Sequence, residues 1–254
     1  VPDAVDRIVL GTRAESDDYS DGNGNEVHSR YLRWSGNAAL GWTPDERTRL
    51  ELSGALSDGE AAYADRAMDG VKFARDNLGL RFERQLAGPH VQAIEAQAYY
   101  NYVDHVMDNY SLRAFAPSMT MPFRSVSNPD RETTGGRFTA DLAFGERITA
   151  TVGVDLQENR HSLRSTMNES MMPYEKMKRA EDGRFRNAGV FGELTLAAGP
   201  SGRVITGLRI DDWYAQDSRE MLRVGMTAVP NPTADEERNA TLFGGFGRYE
   251  HDLA

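Results

Sequence analysis

LRWSGNAALGW, residues 32–42, and LELSGAL, residues 50–56, stand on either side of Pro44-Asp45-Glu46 and read with a period of two. In the first, Leu32, Trp34, Gly36, Ala38, Leu40 and Trp42 share one side against Arg33, Ser35 and Asn37. In the second, Leu50, Leu52, Gly54 and Leu56 oppose Arg49, Glu51 and Ser53. Side chains alternate across a strand, so the pair is a hairpin with one apolar and one polar face, not two helices.

The pattern recurs about ten times along the chain. Ile8, Leu10, Thr12 and Ala14 share a side, as do Leu78, Leu80 and Phe82, then Phe138, Ala140, Leu142 and Phe144, and then Ile148, Ala150, Val152, Val154 and Leu156. Ala188, Val190, Leu194 and Leu196 follow, then Leu208 with Ile210, and a Gly- and aromatic-rich run over residues 238–251. Connections alternate between tight ones, near Pro44-Asp45-Glu46, Ala87-Gly88-Pro89, Gly145-Glu146 and Gly199-Pro200-Ser201-Gly202, and long ones over residues 19–28, 58–70, 109–130, 160–183 and 218–237. Short turns at one end and long loops at the other are the layout of an up-and-down transmembrane β-barrel. A soluble sandwich or barrel permits the same alternation. Strand runs of about 10 to 15 residues, against about 5 or 6 in soluble domains, favour the membrane barrel. So do Trp34, Trp42, Phe82 and Phe144 near strand ends, where an aromatic girdle belongs. The expected fold is all-β and antiparallel, with residues 1–254 forming about ten strands of a larger barrel.

Composition narrows function. Of 254 residues 39% are hydrophobic, and no apolar run is long enough for a membrane-spanning helix, which leaves strands as the only spanning element. The absence of cysteine removes disulfides, thiolate metal sites and cysteine nucleophiles within these residues. A net charge of −10 opposes nucleic acid as a partner and suits the attraction of cations. No signal-peptide pattern opens the chain at Val1-Pro2-Asp3.

All ten methionines, at 68, 107, 119, 121, 167, 171, 172, 177, 221 and 226, fall outside the strand cores, in or beside the long connections. Thioethers are soft ligands suited to Cu(I); the plain alternative is that long loops tolerate flexible apolar side chains. Within the strand expected over residues 91–107, Glu95, Gln97, Tyr99, Asn101, Val103, His105 and Met107 share the polar side, which in a barrel is the lumen. Imidazole and thioether on adjacent same-side positions can chelate copper, with Asp104 and Asp108 flanking them and Met119-Thr120-Met121 in the following loop. Met171 and Met172, in STMNESMMPYEKMK at residues 165–178, offer a further copper-capturing surface with Met167 and Met177. His28 and His161 border long loops and supplement such a surface, whereas His90 and His251 are placed at the other end.

YYNYVDHVMDNY at residues 99–110, HSRYLRWSGNAALGWTPD at 28–45, FGELT at 191–195 and NPTADEERNATLFGGFGRYEHDL at 231–253 resemble the TonB-dependent copper receptors of Gram-negative outer membranes. The resemblance covers nearly the whole chain, which corresponds to a middle portion of that family's barrel. It implies a plugged barrel of roughly 22 strands, with the family's H-x-M copper site on His105 and Met107. It further implies copper as the transported ligand, the TonB energy-transducing complex as a partner through a plug domain outside these residues, and outer-membrane lipid around the wall. The family's second half-site, a Cys-x-x-x-Met segment on the plug, has no counterpart here.

The expected function is therefore copper import, with a receptor for a metal chelate such as a siderophore as the alternative. An outer-membrane enzyme is disfavoured, because no Ser, His and carboxylate or carboxamide set stands together on the lipid-facing side. Gly244-Gly245-Phe246-Gly247 is no phosphate loop, lacking the following Lys and Ser/Thr.

Overall fold

The computed structural model describes residues 4–199, 202–217, 221–224, 227–230 and 236–251. In chain order they form β1 (Ala4–Ser16), the short β2 (Tyr19–Ser20) and β3 (Glu26–Val27), β4 (Tyr31–Asp45), β5 (Thr48–Ala61), β6 (Asp69–Gln85) and β7 (Val91–Asp108). Then come β8 (Val126–Phe144), β9 (Ile148–Thr166), β10 (Ala180–Ala197), β11 (Gly202–Asp217), the short β12 (Met221–Val224) and β13 (Thr227–Pro230), and β14 (Glu236–His251). The ten long strands make one open antiparallel sheet in the order β1-β4-β5-β6-β7-β8-β9-β10-β11-β14, each bonded to the next long strand along the chain. The pairs β2-β3 and β12-β13 decorate two of the long connections. No described helix is long and apolar enough to cross a membrane.

Register carries the apolar pattern across the sheet. Leu40, Leu52, Leu80, Ala98 and Gly136 are successive cross-strand partners, and one step along so are Trp42, Leu50, Phe82, Ala96 and Phe138. This face has no second layer. Leu52, Leu56, Leu78, Val190 and Leu208 remain about half exposed, and the only buried apolar side chains among the described residues are Ala62, Val106, Val126 and Ile205. A soluble sandwich would cover such a belt with a facing sheet, whereas a lipid-facing wall leaves it bare. The opposite face is charged and internally neutralised: Arg81 reaches Glu95 at 3.0 Å and Arg209 reaches Asp155 at 2.7 Å. Polar and paired, this face is the lumen.

The ten-strand, up-and-down expectation holds, with two differences. Three pairs of strands run further towards the long loops than alternation predicts, so those connections shrink to residues 62–68, 109–125 and 167–179, while the first widens to 17–30 and holds β2 and β3. Above the apolar belt neither side meets lipid; the backbone ladder continues while the period-two signal fades. β1 also turns the other way from its apolar pattern. Ile8, Leu10, Thr12 and Ala14 share a side with Ala39, Asn37, Ser35 and Arg33, on the lumen wall. Arg7, Arg13 and Glu15 stand with Val5 and Val9 on the other side, so pairing overrides the pattern: the Thr12 and Ser35 hydroxyls bond at 2.7 Å and Asp6 takes Arg49 at 3.1 Å. The tight β8–β9 connection places Gly145 at φ 72°, where a side chain would be strained. Pro200, Ser201 and Met226 lie outside the described residues.

Candidate metal centre

β7 rises out of the apolar belt at Tyr100 and Tyr102 and ends in the loop over residues 109–125. β7 itself is regular here; the extra residue of the local bulge, Val71, belongs to β6 between the pairs Gly70–Met107 and Lys72–Val106. His105 and Met107 therefore project to one side, the side of Glu95, Gln97 and Asn101, at the loop end of the lumen wall. Both are half-buried. His105 Nε2 is fully buried and has no hydrogen-bond partner in the protein. Burial pushes its imidazole below the ordinary pKa, with the Asp104 charge opposing. A neutral imidazole with an unspent ring nitrogen fits a soft metal ion, because the lone pair a ligand must offer is already free.

The reverse side of the same strand pins the pair in place. Asp104 takes Lys72 at 2.8 Å, Asn128 at 2.6 Å and Arg179 at 3.5 Å. The Tyr102 hydroxyl donates to Asp130 at 2.9 Å, and Arg179 holds Asp130 at 3.1 Å. Burial would raise the Asp104 pKa, but Lys72, Asn128 and Arg179 outweigh it and keep the carboxyl below its ordinary value. Asp104 is thus committed to holding β6, β8 and the chain before β10 against β7.

Sequence alone could not pair the methionine loops. Ser125 Oγ donates to the Met167 carbonyl at 3.2 Å and the Glu169 N–H donates to the Arg124 carbonyl at 2.8 Å, joining loop 109–125 to loop 167–179. Asn109 closes the neck of the first loop by donating to Phe123 O at 3.1 Å and accepting from Ser125 N at 2.9 Å. Its Nδ2 also stands 3.9 Å from the Met121 sulfur. Met119 is 103% exposed and Met171 80%, with Met167 and Met172 also open, so these thioethers stand in solvent on anchored loops. Met121 is tied into the loop neck instead.

His28 and His161 are occupied. His28 Nε2 bonds Asp69 at 2.9 Å and His161 Nδ1 pairs with Asp182. Among the described residues no group of three His, Cys, Asp or Glu is poised to hold a metal ion, which leaves imidazole with thioether as the available donor chemistry. Sequence reading missed Phe73, whose ring stacks on His105, and the Asp69–Arg113 pair that anchors the first methionine loop. Asn109 was legible in principle, since Asp-Asn directly after a long strand is turn chemistry; the other two depend on register and on a contact across 44 residues.

Residues 11–249 match the family model described as TonB dependent receptor-like, beta-barrel. Among solved structures, the chain is 44% identical to the copper transporter OprC, with a TM-score of 0.88, over 98% of this chain and 38% of that one. It also superposes on the ferric-catecholate import receptor Fiu of E. coli K12 in its open form (TM-score 0.69, 11% identity, 100% of this chain and 49% of that one). The FrpB iron transporter of Neisseria meningitidis superposes likewise (TM-score 0.69, 13% identity, 98% and 39%). The latter two share the fold alone. The chain spans between 38% and 49% of the length of these three proteins. No match was found among curated protein sequences.

Proposed function

Because this chain belongs to the TonB-dependent receptor β-barrel family, we propose that the receptor it is part of captures copper ions and imports them across the outer membrane of a Gram-negative bacterium. The observation that carries this reading is the coincidence of 44% identity to a copper transporter with an imidazole nitrogen left without a partner beside a thioether at the lumen mouth. Residues 1–254 contribute wall, with lipid against the apolar belt. Met119, Met171 and Met172 offer exposed soft donors on two joined loops, where copper is first met. His105 and Met107 receive it at the rim, with Met121 in the loop neck above them. The coordination sphere is completed from outside these residues, by a plug domain whose rearrangement under TonB releases the ion inward. No bond of a substrate is made or broken.

The test is copper content of the whole receptor carrying His105→Ala and Met107→Ala, purified folded and dialysed against a chelator. Loss of retained copper in the double variant is expected; full retention would overturn the site. Competition separates the chelate alternative, since a chelate receptor would hold its organic ligand undisturbed by free Cu(I).

A further inference from the structure

Opposite the ligand pair, β6 is built around one phenyl ring. Phe73 is the cross-strand partner of His105, and the two rings stack at 4.4 Å between centroids with 27° between planes. The Phe73 N–H is fixed by Asp58 Oδ1 at 2.9 Å, and the Val71 bulge just before it shifts the strand by one residue. Gly70, the partner of Met107, supplies the space: a Cβ there would stand 2.2 Å from the phenyl Cζ. The ring consequently leans from the imidazole towards the position facing Met107, covering the wall beside both donors. A ring stacked on an imidazole face hides that face from water but leaves the in-plane lone pair of Nε2 unspent.

We propose that Phe73 is a specificity-determining residue of this site, an apolar cover that makes the His105–Met107 pair favour weakly hydrated, soft, monovalent ions over strongly hydrated divalent ones. This rests on reading His105 and Met107 as ligands. Two physical effects act in the same direction. A water-excluding wall penalises an ion in proportion to the hydration it must shed, which is far greater for Zn(II) or Cu(II) than for Cu(I) or Ag(I). The phenyl wall also supplies none of the oxygen donors that hard ions require. Phe73 touches no metal in this role; it sets which ion the neighbouring donors hold.

The experiment uses the whole receptor with Phe73→Ala, Phe73→Gln and Phe73→Trp, loaded with Ag(I), a redox-inert stand-in for Cu(I), in competition with Zn(II). Bound metal per folded receptor is read by elemental analysis, and folding by the mobility of the unheated barrel on a gel. The Ag(I)-over-Zn(II) preference should fall roughly tenfold in the Ala and Gln variants, a shift of about 1.4 kcal/mol, and persist in the Trp variant. An unchanged preference in folded Ala and Gln variants, or an equal loss of both metals, overturns the proposal. The His105→Ala, Met107→Ala double variant is the control. If it keeps Ag(I), the ligand assignment has failed; if it loses Ag(I) while Phe73→Ala keeps the parental preference, only the role of Phe73 has.

Discussion

Arg113, in the loop after β7, closes on Asp69 at the foot of β6, 44 residues back in the chain, with Nε donating to Oδ2 at 2.7 Å and Nη2 donating to Oδ1. Asp69 is completely buried and also takes His28 Nε2 at 2.9 Å and the Tyr63 N–H at 2.9 Å. Arg113 spends its remaining donors on the carbonyls of Arg66 at 2.8 Å and Tyr63 at 2.9 Å, while Arg30 bonds Leu112 O at 3.1 Å. One carboxylate therefore clasps three loops, those over residues 17–30, 62–68 and 109–125, and anchors the root of the segment bearing Met119 and Met121.

Removing Arg113 leaves the completely buried Asp69 carboxylate without its two-pronged cation, which costs about 3 kcal/mol or more. Asp69→Asn or Arg113→Ala is expected to release these loops and leave the sheet intact, since the clasp touches the β6–β7 ladder only at its end pair, Asp69 with Asp108. Hydrogen exchange should show lost protection in all three loops with the β5–β9 amides unchanged. Unaltered loop protection would refute the clasp.

The clasp also sets an acid limit. Burial of Asp69 opposes its ionisation, but Arg113, His28 and the Tyr63 N–H outweigh burial and hold the carboxyl at about 2. A pKa lowered on folding contributes stability that is fully present above the ordinary carboxylate range and is lost as pH falls through the folded value, here about 2 kcal/mol in all. Loop protection should hold constant from about pH 7 to pH 4 and decline only towards pH 2, and Asp69→Asn should abolish that step. A decline centred near pH 6 would assign the loops to another group.

Several lumen-facing glycines receive a neighbour's side chain. At Gly135 an added Cβ would meet the Tyr99 hydroxyl at 2.3 Å and the Leu156 carbonyl at 2.8 Å, and that carbonyl belongs to the ladder and cannot swing away. At Gly36, on the lipid face, nothing lies within 4 Å. Gly135→Ala should cost about 1 to 3 kcal/mol of barrel stability by overpacking, while Gly36→Ala should be neutral or stabilise by up to about 1 kcal/mol. Guanidinium unfolding of the receptor in micelles gives both values, and equal midpoints would contradict the packing.

Leu52 lies on the apolar belt and Ser53 on the lumen wall. Leu52→Arg is expected to destabilise the receptor in bilayers by about 2 to 4 kcal/mol, and Ser53→Arg by far less. The reverse order would mean that the two faces have been exchanged.

Serine in place of Met119, Met171 and Met172 together should slow copper acquisition at limiting metal while leaving the final copper content unchanged, if capture falls to these exposed thioethers and retention to His105 with Met107 as proposed. Stopped uptake measured with excess and with scarce copper distinguishes the two; a lower final content would place the loop sulfurs within the retaining site.

What the sequence determined by itself was whatever a single strand encodes. Period-two alternation in Leu32–Trp42 and Ile148–Leu156 fixed strand identity and the outward face, and turn residues such as Gly145 fixed the short ends, because a pleated strand sorts its own side chains whatever its neighbour is. The shared side of His105 and Met107 was legible for the same reason. Only the tertiary structure decided what depends on neighbours. β1 took its orientation, against its own apolar pattern, from Thr12 with Ser35 and Asp6 with Arg49. Loop lengths were set by ladders that persist after the apolar signal has ended. The Phe73 ring over His105, the joining of the two methionine loops through Ser125 and Arg124, and the Asp69–Arg113 clasp each require contacts between residues distant in the chain. Such contacts are selected by register and closure of the sheet, and no local pattern records them.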